Sequence, residues 1–92
     1  MATVRFTQNI QRHVVCPTRD VPGATLREVL DNYFRDNEKA RGYVLDEQGV
    51  IRQHMVVFVD GELVPDRANL SGEVRKNSVI DVIQALSGGS IQ

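Results

Sequence analysis

The chain has one cysteine, three prolines, no tryptophan, two tyrosines and three phenylalanines in 92 residues. A single cysteine, Cys16, excludes an internal disulfide or a thiolate cluster, and a reducing cytoplasm is the simplest home for such a chain. No apolar run approaches the roughly 20 residues needed to cross a bilayer. The opening Met1-Ala2-Thr3-Val4-Arg5-Phe6 alternates, unlike a signal peptide. Basic residues never run longer than Arg75-Lys76, and the net charge is −1, so there is no electrostatic case for nucleic acid or an anionic membrane. A phosphate-cradling loop is missing as well, because the Gly88-Gly89 pair is not followed by a helix.

What remains is one small domain. A chain of this length buries roughly 60–65% of the surface its unfolded form exposes, enough for a single core. Residues Thr3 to Thr7 alternate, with Val4 and Phe6 on one face, and predict a half-buried strand. His13 to Cys16, stopped by Pro17, reads as its returning partner in a hairpin. A helix follows. Thr25 and Glu28 form a capping box, and Leu26, Val29, Leu30, Tyr33 and Phe34 recur as one apolar stripe over about three turns. The pattern fades over Asp36 to Arg41, and Gly42 is expected to break the helix. Tyr43-Val44-Leu45 and Val50-Ile51 flank Asp46-Glu47-Gln48-Gly49 as a short hairpin-like excursion. His54 to Val59 is the strongest strand. It ends at Asp60-Gly61, a hairpin turn signal, with Glu62 to Val64 as its partner. Pro65 to Lys76 is a polar connector anchored by Leu70 and Val74, and Ser78 to Gln84 is the last strand.

A hairpin, one amphipathic helix and further strands predict an α+β fold: a mixed sheet with one main helix packed on one face. The β-grasp arrangement fits this order, with the first and last strands central and parallel. Residues 1–87 would form that domain and residues 88–92 a flexible diglycine tail with a C-terminal extension.

The chain resembles the ubiquitin-like sulfur-carrier family. That family includes the small subunit of molybdopterin synthase, the thiamine-pathway carrier and a cysteine-biosynthesis carrier. The carrying segments are Thr25 to Leu30, the block Asp46 to Arg52 leading into Val56-Val57-Phe58-Val59-Asp60-Gly61, and the ending Asn77 to Gly89. The Asp-Glu-x-Gly loop before an aliphatic strand is most similar to the cysteine-biosynthesis type. The resemblance implies a mechanism. A partner enzyme adenylates the carboxyl of Gly89 with ATP, a persulfide or sulfide attacks the acyl-adenylate, and the resulting thiocarboxylate donates sulfur to an acceptor enzyme. It also implies that the carrier binds no cofactor, holds no metal and has no catalytic residues of its own. Two departures stand out. Ser90-Ile91-Gln92 follow the diglycine, so the Gly89 carbonyl is an amide here, and a processing metallopeptidase is expected to remove these three residues first. Gln84-Ala85-Leu86-Ser87 stands where the family often has Leu-Pro-Ala-Val-Ala.

Both faces of the Met55 to Val59 strand are apolar, and a single helix covers only one side of a sheet. Assigning Val4, Phe6, Val56, Phe58, Ile80 and Val82 to the helix side turns Asp81 outward. It leaves Val57, Val59, Ile83 and Leu86 as an apolar partner-binding patch beside the tail. Other signals read as structure. Cys16 with His13 or His54 lacks a third orienting group and reads as a buried strand thiol, with the histidines on strand surfaces. Asp46, Glu47, Asp60 and Glu62 sit at turn tips as solvated charge. The competing function is a ubiquitin-like protein modifier or a non-catalytic interaction domain. The sulfur acceptor stays open among cysteine, molybdopterin, thiamine, specialised-metabolite and tRNA-thiolation pathways, with the cysteine type preferred.

Overall fold

Alternation in the first strand is realised as read: β1 (Ala2–Phe6) buries Ala2, Val4 and Phe6 and turns Thr3 and Arg5 away. The computed structural model describes residues 1–85. Its remaining elements are α1 (Gln8–Gln11), β2 (Arg19–Val21), α2 (Leu26–Arg35), α3 (Glu38–Val44), β3 (Met55–Val59), β4 (Glu62–Leu63) and β5 (Val79–Gln84). They build a five-stranded sheet in the order β2-β1-β5-β3-β4. β1 and β5 are neighbours and run parallel, while the other pairings are antiparallel. Strands from the two ends of the described chain therefore lie side by side in the middle of the sheet.

The main helix forms for the reasons its sequence gives. The Thr25 hydroxyl accepts a hydrogen bond from the Glu28 amide at 3.2 Å. Glu28 reaches back to the Ala24 amide at 3.1 Å, one residue earlier than in the standard box. The other first-turn amides are met by the connector: Leu26 donates to the Gly72 carbonyl and Arg27 to that of Leu70, each at 2.9 Å. Leu70 takes a left-handed φ of 53° to do this and is fully buried. The Leu26, Val29, Leu30, Tyr33 and Phe34 stripe is buried against the sheet, with Phe6 and Tyr33 ring centroids 5.2 Å apart.

Three local readings are corrected. His13 to Cys16 is not a strand. The chain leaves β1 through α1, which buries Ile10, and the antiparallel partner of β1 is β2, beyond Pro17. Only Val21 of β2 is buried, so its Arg-Asp-Val sequence carried no alternation to detect. Gly42 does not break the helical region. α2 ends near Asp36, and α3 runs through Gly42 because Ala40 and Val44, four residues apart, are both fully buried while Gly42 faces open space. The cost of a helical glycine, about 1 kcal/mol relative to alanine, is offset by that burial. Of the expected excursion hairpin only a single bridge survives, between Leu45 and Ile51. Gly49 has a φ of +81°, and a Cβ there would stand 2.8 Å from Arg27 Nη1. The Arg27 guanidinium occupies that space to donate to the carbonyls of Gly49 and Ala68.

Three turn carboxylates are tied into the backbone. Asp46 accepts from the amides of Val50 and Gln48, and Asp60 accepts from the Val79 amide and the Ser78 hydroxyl. Asp66 accepts from the Ser71 hydroxyl and the amides of Asn69 and Ser71. These bonds favour the ionised forms. Asp46 and Asp60 are held below the usual carboxylate range, chiefly by the Val50 and Val79 amides, and Asp66 falls to about 2, chiefly through Ser71. The folded values lie below the unfolded value of about 3.9. The stabilisation is therefore present above that pH and lost as the pH falls toward 2. The thermal midpoint is expected to be flat from neutrality to about pH 5 and to fall below it. Asp66→Asn should lower the neutral midpoint and shrink the acid-side fall, as checked by thermal circular dichroism across pH.

Candidate functional site

Among the described residues, helices cover one face of the sheet and leave the other open. Register decides which side chains belong to which face. Val57 pairs with Val82 and Val59 with Ile80, so these share the helix side with Val4 and Phe6. Phe58 pairs with Asp81 and Val56 with Ile83, and these occupy the open face. The sequence-based patch is thus wrong by one residue along β3. Val57 is 1% exposed and packs in the core, and Val59 is half-buried against it. Ile83 does lie on the open face, half-buried. Leu86, Gly88, Gly89, Ser90, Ile91 and Gln92 lie outside the described residues. The residues missed by the sequence reading are Val56 and Phe58, together with Leu63, which pairs with Phe58 and is 58% exposed. Asp81 was the available signal. It does face outward, but no short turn joins β3 to β5, so nothing local fixed which β3 residues accompany it.

The open face has two halves. Val56, Phe58, Leu63, Val79 and Ile83 make the apolar half toward β4. Toward β2, Arg5 donates from Nε and Nη2 to the two carboxylate oxygens of Asp81 at 2.8 and 3.0 Å, and Thr3 donates to Asp20 at 2.6 Å. The Asp81 carboxylate raises the Arg5 pKa further. The sheet ends differ as well. At one end Asp60 and Gly61, with φ of 52° and 83°, form the left-handed turn into β4. At the other end β5 finishes beside α1 and the start of β3: Asn9 donates to Gln84 at 3.2 Å, and the Ala85 amide donates to the His54 carbonyl at 2.8 Å. The segment that contains the diglycine starts there.

No catalytic grouping is found among the other candidates. Cys16 is 3% exposed, and burial pushes its thiol up, away from the thiolate. Neither histidine is on a strand surface: His13 follows α1 and stacks on Tyr43 at 5.8 Å, and His54 precedes β3. Among the described residues no group of three or more His, Cys, Asp or Glu side chains could hold a metal ion. None of the helices there is long and apolar enough to cross a membrane.

The sequence matches the ThiS family over residues 13–89. This chain belongs to the ThiS family. Its fold is the ubiquitin-like β-grasp expected from the sequence, and solved structures share it along nearly the whole length. A chain of the Amycolatopsis orientalis BexX/CysO complex is 21% identical, with a TM-score of 0.80, covering 97% of this chain and 100% of that one. Mycobacterium tuberculosis CysO, described as an antigen, is 16% identical, with a TM-score of 0.78, covering 94% and 100%. SAMP1 from Haloferax volcanii is 19% identical, with a TM-score of 0.74, covering 96% and 98%. No curated protein matches the sequence.

The corrected faces give paired expectations. Val57→Lys buries a charge with no partner, one of the few single changes able to remove about 4 kcal/mol or more, and should unfold the domain. Phe58→Lys places an ammonium opposite Asp81 on the open face and should shift stability by about 1 kcal/mol or less. Urea denaturation of both variants checks the assignment.

Proposed function

We propose that this ThiS-family protein is a sulfur carrier whose reactive group is the carboxyl of Gly89. The observation that supports this most directly is where the family match stops. It runs from residue 13 to residue 89, ending on the second glycine, and the strand leading to that point is the central β5. A free carboxylate is ionised at neutral pH and is a poor electrophile. Attack on the α-phosphorus of ATP converts it to an acyl-adenylate and releases pyrophosphate. Sulfide then adds to the acyl carbon and AMP departs with one carboxylate oxygen, leaving a thiocarboxylate. The carrier supplies no catalytic group and holds no cofactor; ATP belongs to the adenylating enzyme.

Three partners follow from this scheme. A peptidase, expected to be a metallopeptidase, must cut after Gly89, because an amide carbonyl has no carboxylate oxygen to adenylate. An adenylating enzyme must recognise the fold, and the apolar half of the open face, Val56, Phe58 and Ile83, is the surface we assign to it. A sulfur-acceptor enzyme completes the route, with cysteine-type or specialised-metabolite biosynthesis as the preferred class. The BexX/CysO complex, in which a structurally similar chain assembles with another protein, is consistent with such docking. The similarity to SAMP1, a small archaeal modifier protein, favours conjugation to lysines as the second reading.

Intact mass after co-expression with the host's adenylating enzyme and peptidase separates these readings. A carrier should end at Gly89 with one oxygen replaced by sulfur, whereas a modifier should appear as an isopeptide-linked adduct. Phe58→Lys should remain folded and lose at least about tenfold in the rate of AMP transfer, the size of loss expected for a central apolar anchor. Acceptance of AMP by the uncleaved 92-residue chain would overturn the proposal.

A further inference from the structure

The point from which the diglycine segment starts is itself a link in a ring of contacts. From Ala85 the ring passes to the His54 carbonyl and back along the chain to Arg52, whose Nε donates to the Gly42 carbonyl at 2.8 Å. Tyr43, next to Gly42, stacks on His13. Through α1 the ring reaches Asn9, which closes it on Gln84. The segments 8–13, 41–44 and 52–54 that form this ring contain Arg12, His13, Arg41, Arg52 and His54, and not one aspartate or glutamate. Arg12, His13, Arg52 and His54 are exposed. Among the described residues the only ion pair is Arg5–Asp81, so no ring arginine is paired. Asp46, whose carboxylate accepts from the amides of Gln48 and Val50, also feels the charge of Arg52.

The opposite end of the sheet has the reverse character. Asp60, Glu62, Asp66 and Glu73 border a cleft of about 430 Å³ there, with Arg75 as its one basic group. Lys76 and the chain's amino group stand near that end too, where Asn77 bonds to Met1, so acids line the cleft beside basic neighbours.

We infer that the ring, through its exposed Arg12 and Arg52, is a cationic collar that docks on a carboxylate-lined rim around the active-site channel of the adenylating enzyme. This rests on the sulfur-carrier reading and adds the chemistry of the partner surface. The apolar half of the open face would supply contact area. The collar would set direction, since turning the domain end for end would press its acidic cleft against the same acidic rim. Charges at the rim of an interface act mainly on the association rate and its salt dependence.

The test compares three forms trimmed to Gly89 for binding to the host's adenylating enzyme by stopped flow and calorimetry. The forms are the natural sequence, the collar variant Arg12→Glu/His54→Glu, and the far-end variant Glu62→Gln/Glu73→Gln. None of these substitutions removes a side-chain hydrogen bond seen in the fold. At about 50 mM salt the collar variant should bind roughly tenfold more weakly, mostly through slower association, and the gap should close by about 500 mM. The far-end variant should match the natural sequence or exceed it. Equal binding by the collar variant while the natural sequence accepts AMP overturns the collar alone, as does an equal loss in the far-end variant. Failure of the natural trimmed chain to bind or accept AMP removes the sulfur-carrier reading, and the collar with it.

Discussion

The parallel ladder between β1 and β5 is the constraint from which the other features follow. It joins Thr3 to Val79, Val4 to Ile80, Arg5 to Asp81 and Phe6 to Val82, pairs 76 residues apart. Alternate pairs do different jobs. Val4 with Ile80 and Phe6 with Val82 give α2 an apolar floor, all of them 6% exposed or less. Arg5 with Asp81 closes the open face with a two-pronged ion pair. In that exposed setting the pair contributes little stability. Its effect is on register, because a slip by one residue would send every apolar side chain to the wrong face. Since β5 lies between β1 and β3, it has a paired neighbour on each side.

Sequence signals read correctly were those whose cause is local. The Thr25–Glu28 cap, the stripe from Leu26 to Phe34 and the Asp60-Gly61 turn each depend on neighbours within a few residues, and each appears in the fold. The parallel central pair was expected only through the β-grasp arrangement that the element order fits, and the ladder between β1 and β5 supplies it. Misreadings fell where tertiary contacts decide. β2 is three residues of Arg-Asp-Val made a strand only by β1. α3 contains an interior glycine and survives through the burial of Ala40 and Val44. The β3 register depends on a partner strand beyond a connector of more than a dozen residues, so a strand apolar on both faces could not reveal which face the helix covers. Of the candidate site, the direction of Asp81 and the place of Ile83 were readable, while Val57 and Phe58 exchanged places.

That exchange also explains why β3 is apolar on both sides. Its core face needs Met55, Val57 and Val59. Its open face carries Val56 and Phe58 although no element among the described residues covers them, and such side chains at the centre of a sheet are unusual without a partner. The free edge of β3 is treated in the opposite way. β4 is two residues long, and beyond it Arg67 Nη2 donates to the carbonyls of Ile51, Arg52 and Met55. An arginine capping those carbonyls blocks pairing by another strand. The fold therefore discourages association through its edge and leaves a side-chain surface available on its face.

Reactivity and stability are kept apart in this molecule. Cys16, the only soft nucleophile, is buried with its thiol protonated. Asp46, Asp60 and Asp66 are occupied as acceptors of backbone and hydroxyl hydrogen bonds, which makes them weaker bases than free carboxylates. The Tyr33 hydroxyl donates to the Pro17 carbonyl, and burial pushes its pKa up to about 12. A domain that neutralises its own reactive groups in this way is suited to presenting chemistry outside its body. On the proposed carrier reading, glycine suits such presentation, because a backbone with no side chains can enter a narrow channel. On that same reading, the sheet would offer a face and a charged rim that fix how the arm approaches.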